Sequence, residues 1–71
     1  MALLQRLMKP RTGERVEIYK NGKLLIRGLV MMADDRLISV SDKDMRIMNF
    51  RPSELEEAIA KREIRIKKLP K

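Results

Sequence analysis

Between Arg15 and Lys20 apolar and polar positions alternate, with Val16 and Ile18 on one side and Glu17 and Tyr19 on the other. A period of two predicts a half-buried strand. Asn21-Gly22 follows. Both residues tolerate the positive φ angles of a type I′ turn, so the pair predicts a tight hairpin. The next stretch, Lys23 to Ala33 (KLLIRGLVMMA), predicts a second strand that is apolar on both sides. Leu24, Ile26, Val30 and Met32 share one face with Gly28, while Leu25, Leu29 and Met31 share the other with Arg27. Such a strand is either buried twice or bent so that its halves serve different sheets, and Gly28 marks the bend.

Asp34-Asp35 predicts the next turn, and Leu37 to Ser41 (LISVS) a third strand with Ile38 and Val40 inward. Asp42 to Asp44 turns again, and Met45 to Phe50 predicts a fourth strand. Arg51-Pro52-Ser53 breaks it. Ser53 with Glu56 has the spacing of a capping box, so a helix is expected from there to about Arg62, with Leu55, Ala58 and Ile59 as its apolar stripe. Glu63 to Leu69 (EIRIKKL) predicts a fifth strand with Ile64 and Ile66 inward. Ahead of all this, residues 2 to 9 (ALLQRLMK) place Leu3, Leu4, Leu7 and Met8 at helical spacing, and Pro10 ends the run. The expected fold is a single, mainly β domain over residues 1–71: a small five-stranded bent SH3-like or Sm-like barrel, with a short N-terminal helix and one helix before the last strand. A split sheet with helices on one face is the alternative.

Composition narrows the function. The 71 residues carry 17 Lys and Arg against 10 Asp and Glu, a formal charge of +7. That excess favours polyanions, nucleic acid first and an anionic membrane surface second, although it also serves plain solubility. Cysteine and histidine are both absent. Their absence removes disulfides, thiolate and imidazole metal ligands, and the usual general base, so neither an enzyme nor a cofactor is expected. No segment approaches the ~18 apolar residues of a membrane span. The first residues lack the basic start of a secretory leader, and a cytoplasmic location is expected. A core this small gains from self-association, so a homo-oligomer is expected.

The candidate chemistry is basic. Lys61, Arg62, Arg65, Lys67, Lys68 and Lys71 form the densest run; repeated along a strand they can track phosphates, or simply blunt a sheet edge. Lys20 and Lys23 flank the hairpin turn. Arg36, Arg46 and Arg51 lie at or near loops, where they can fork onto phosphate or pair with Asp34, Asp35, Asp42 or Asp44. Tyr19 and Phe50 are the only aromatics. Phe50 is expected in the core, leaving Tyr19 to stack a base. Most methionines, among them Met31, Met32, Met45 and Met48, are expected in the core or in a subunit interface. The paired aspartates lack calcium-loop spacing and read as turn residues. The partner these residues favour is RNA, with DNA possible. The alternative is a protein-interaction or assembly adaptor, docking through the N-terminal helix or an open strand edge.

Residues 16 to 35, VEIYKNGKLLIRGLVMMADD, resemble the Sm-like family, which comprises the Sm and LSm proteins and the bacterial RNA chaperone Hfq. The shared features are a first strand, an Asn-Gly hairpin, a glycine in the bent second strand at Gly28, and an acid at Asp34. The resemblance implies an N-terminal helix before a bent five-stranded barrel, ring assembly and RNA binding. The chain departs from the family in four places, one being the Tyr-Lys-His element of the bacterial branch, which a chain without histidine lacks. Ile38 stands near the place of the asparagine of the nucleotide-binding loop. Asn49-Phe50-Arg51 stands in the region of the Arg-Gly pair. A helix replaces the tight turn before the last strand.

Overall fold

The computed structural model describes residues 10 to 70; the expected helix over residues 2 to 9 lies outside them. In chain order the elements are β1 (Arg15–Lys20), β2 (Lys23–Ala33), β3 (Ile38–Ser41), β4 (Ile47–Phe50), α1 (Pro52–Ala60) and β5 (Ile64–Leu69). All five strands join one antiparallel sheet in the order β4-β3-β2-β1-β5. The hairpin turn between β1 and β2 forms as expected, with Asn21 at φ 52° and Gly22 at φ 82°.

The sheet is open, with β4 and β5 as its edges. The expected barrel is not closed: no ladder joins β4 to β5, and α1 lies between them in the chain. Nine helical residues span about 14 Å, and they drive Leu55 into the space between the edges. Leu55 is 2% exposed and packs with Val16, Ile18, Ile26, Val30, Ile38, Val40 and Ile66, flanked by Met48, Phe50, Ile59 and Ile64. The helix therefore completes the core that a closing ladder would have completed.

Strand β2 bends by two irregularities, one on each side of Gly28. Ile18 pairs with Ile26 but Tyr19 pairs with Leu24, so Leu25 is an extra residue. Val30 pairs with Val40 but Met32 pairs with Ser39, so Met31 is another. Each extra residue flips the alternation beyond it. The simple pattern holds from Ile26 to Val30 and fails at both ends: Leu24 and Met32, expected on one face with Ile26 and Val30, are exposed. Gly28 has a different task. A Cβ there would lie 2.0 Å from the Ser41 carbonyl oxygen, so glycine is required by the close approach of β3.

Three local expectations are corrected. Strand β4 begins at Ile47, because Asp42 closes a turn over Met45 and Arg46, with Met45 in the left-handed region at φ 66°. The capping box does not form: the N-cap is Arg51, Pro52 supplies the fixed φ of the first turn, and Ser53 lies inside the helix. The helix ends at Ala60, which leaves Lys61 as its C-cap and Arg62 beyond it. The four methionines are placed unequally. Met31, Met32 and Met45 are exposed, and only Met48 of the four packs on the core.

Candidate nucleic-acid interface

The outer face of the sheet, opposite the core, is assembled from β1, β2 and β5. Cross-strand register places Arg65, Tyr19 and Leu24 in one row, Lys67, Glu17 and Arg27 in the next, and Leu69, Arg15 and Leu29 in a third. The Arg65 guanidinium lies over the Tyr19 ring, 5.4 Å from its centroid. This cation–π contact holds both groups in place on an exposed face.

Glu17 organises the middle row. It is buried at 4% exposure, yet it points to the outer face, covered by its neighbours. Arg27 Nε donates to Glu17 Oε2 at 2.7 Å, Arg27 Nη2 stands 2.6 Å from the same oxygen, and the Tyr19 hydroxyl donates to Oε1 at 3.1 Å. These partners settle its ionisation. The bond from Arg27 leads in holding the Glu17 carboxyl below its ordinary 4.5, against desolvation, with Tyr19 and the charge of Lys67 adding to the effect. The same hydrogen bond to Glu17 is the leading cause that raises the Tyr19 phenol above its ordinary value. One carboxylate thus sits among Arg15, Arg27, Arg65 and Lys67, and the face keeps a positive excess.

The other candidates scatter. Lys20 and Lys23 pair across the hairpin tip. Arg36 lies in the β2–β3 turn, where Asp34 Oδ1 accepts from the backbone N–H groups of Arg36 and Leu37, both at 2.8 Å. Arg46 lies in the β3–β4 turn, where Asp42 Oδ1 accepts from Asp44 and Arg46. Both aspartates act as turn residues, as read from the sequence. Arg51 caps α1, and Lys68 stands 3.5 Å from Glu14. The structure therefore brings together Tyr19, Arg65 and Lys67 out of the set named from sequence, and adds Arg15 and Arg27, which were missed.

A signal for Arg27 was present. Counting outward from a two-residue turn pairs Lys20 with Lys23 and, without a bulge, Val16 with Arg27, on the core side. A charge there would be buried unpaired, which is costly. One extra residue at Leu25 moves Arg27 opposite Glu17 and puts Gly28 opposite Val16.

Among the described residues no cluster of acidic side chains is arranged to hold a metal, and no helix is long and apolar enough to cross a membrane. A cavity of about 430 Å³ opens beside Tyr19 and Arg65, between the hairpin turn and the α1–β5 corner. Compared with protein-family models, curated proteins and solved structures, the chain matches none.

Proposed function

We propose that the protein is a non-catalytic nucleic-acid-binding module that takes single-stranded RNA on the outer face of β1, β2 and β5 and works as a homo-oligomer. We take its curved sheet, plugged by α1, as a variant of the bent Sm-like or SH3-like barrel. The observation that carries the reading is the Tyr19–Arg65 pair set beside Lys67, Arg27 and Arg15. An aromatic platform among cations is what an unstacked base and its phosphates require. RNA is favoured over duplex DNA for two reasons. The Sm-like resemblance implies it, and the one helix of the described residues carries Glu54, Glu56 and Glu57, a poor surface to lay in a major groove. Self-association is supported by the two open edges and by Ile47, 61% exposed on β4.

Binding of a short RNA, followed by fluorescence anisotropy, tests this. About four phosphate contacts predict a loss of roughly 50-fold in affinity between about 50 and 200 mM salt. Replacing Lys67 by Gln should lower the salt slope by about 0.7. Affinity that is indifferent to salt rejects the reading. The apolar exposure at Met45 and Ile47 favours a second reading, a protein-docking adaptor using the β4 edge. That reading requires an association that survives high salt and needs no RNA.

A further inference from the structure

We infer that the cavity at the α1–β5 corner is a base-specific subsite, built to take one unstacked guanine of a bound RNA strand. The inference deepens the nucleic-acid reading above and rests on it. The cavity holds about 430 Å³, with Tyr19, Arg65, Ile59 and Ile64 on its walls. Gly22 forms its rim, where no atom comes within 4 Å of the place a side chain would begin. A backbone hydrogen bond from the Asn21 N–H to the Glu63 carbonyl, 2.8 Å, ties the rim to the opposite wall. The space is an open concavity of the surface bounded by these residues. Its apolar and π-bearing walls suit the flat face of a base, and the Tyr19–Arg65 pair offers it a stacking surface.

Two further residues line the cavity, Arg62 and Glu63, and each has an independent peculiarity. Helix α1 ends in a Schellman arrangement: the Glu63 N–H donates to the Ala58 carbonyl at 2.9 Å and the Arg62 N–H to the Ile59 carbonyl at 3.0 Å. That motif places Arg62 in the left-handed region, at φ 63°, where glycine is the usual residue. An arginine held there at a conformational cost, at a position that lines the cavity, marks a site where function outweighs local stability. It supplies a phosphate-binding fork at the mouth.

Glu63 brings a carboxylate, which only accepts hydrogen bonds. Among the described residues that carboxylate has no hydrogen bond or ion pair, and the neighbouring Lys61 is held by Glu57. Among the four RNA bases, guanine alone presents two adjacent N–H donors on its Watson–Crick edge, at N1 and N2. Adenine and cytosine set a donor beside an acceptor, and uracil flanks its single N–H with carbonyls. A carboxylate thus selects guanine by a bidentate pair and repels uracil.

The test uses the full chain and two labelled heptamers, U7 and the same strand with one central guanine. The guanine-containing strand should bind about tenfold more tightly. Glu63→Gln should bring the ratio of the two strands' affinities to about one. Arg62→Gly should raise the melting temperature and weaken the guanine-containing strand at least fivefold. Salt-dependent binding of both strands with equal affinity overturns the guanine subsite and leaves the general RNA reading standing. Absence of binding by either strand overturns both. A stabilised Arg62→Gly variant that binds as tightly as the parent removes the role given to Arg62.

Discussion

Gly28 and Glu17 show how a single side chain, or the lack of one, decides local structure here. At Gly28 the Ser41 carbonyl and the Asp42 Cα crowd the space a methyl group would need. Both are backbone, so neither can swing aside. Gly28→Ala should therefore cost about 3 kcal/mol or more, at the upper end of overpacking penalties, read as a drop in the urea midpoint. Glu17 works through charge. Its folded pKa is below the ordinary 4.5 because Arg27 bonds to the ionised form. Its contribution to stability is thus present above that value and is lost as pH falls through the lowered one. Denaturation midpoints measured through the acid range should decline, and Glu17→Gln should decline less steeply over the same interval. Equal slopes for the two proteins would show that Glu17 is not linked to folding. Both residues were named from sequence, but their reasons were not legible there. Gly28 was taken for a bend and proved to be a close approach; Glu17 was read as an exposed strand position and is covered by residues ten and two positions away.

At the scale of elements, β2 and α1 do the shaping. Strand β2 is long because it serves β1 along one half and β3 along the other, sharing Leu29 and Val30 with one or both. Its two extra residues, Leu25 and Met31, add local twist, and the strand contributes Ile26 and Val30 to the core. Helix α1 is short, and nine residues make a marginal helix in isolation. Burial of Leu55 against the sheet is what holds it. Leu55→Ala should destabilise the domain by about 3 kcal/mol, measured by chemical denaturation. In a domain this size that is a large part of the total. A loss under about 1 kcal/mol would show that α1 is held elsewhere. The existence and order of the strands and of the middle helix were legible, since periods of two and 3.6 are written directly in the apolar positions. The ends were less so. Pro52 prevailed over Ser53 at the start of α1, and a left-handed Met45 delayed β4 by two residues.

For the whole molecule, the distribution of charge matters more than its sum. The excess of +7 was evident at once, but it could have been spread evenly. Folding gathers Arg15, Arg27, Arg65 and Lys67 on one face beside Tyr19, and sends Arg36, Arg46 and Arg51 to separate corners. Lys61 and Lys68 are drawn off by Glu57 and Glu14. Neutralising Arg65 should therefore weaken RNA binding more than neutralising Arg36, and competition binding at fixed salt compares them directly. Similar losses at both positions would mean that overall charge, rather than this face, attracts the nucleic acid. The two open edges, with Ile47 exposed on β4, are equally products of the whole fold, since they depend on how the five strands are ordered in one sheet.

By itself the sequence determined the hairpin at Asn21-Gly22, the core-facing residues of β1 and β3, the helix before the last strand and the basic character of the chain. Each of these depends on neighbours in sequence, through steric limits on φ, alternation of side chains along a strand, or simple counting. Only the tertiary structure decided that the sheet stays open around α1, that Arg27 meets Glu17 on the outer face, and that Tyr19, Arg62, Glu63 and Arg65 gather around one cavity. Those outcomes depend on register between strands distant in sequence. A single bulged residue reverses which face every side chain beyond it occupies; the hairpin register calls for one before Arg27 but does not fix its position, which is Leu25.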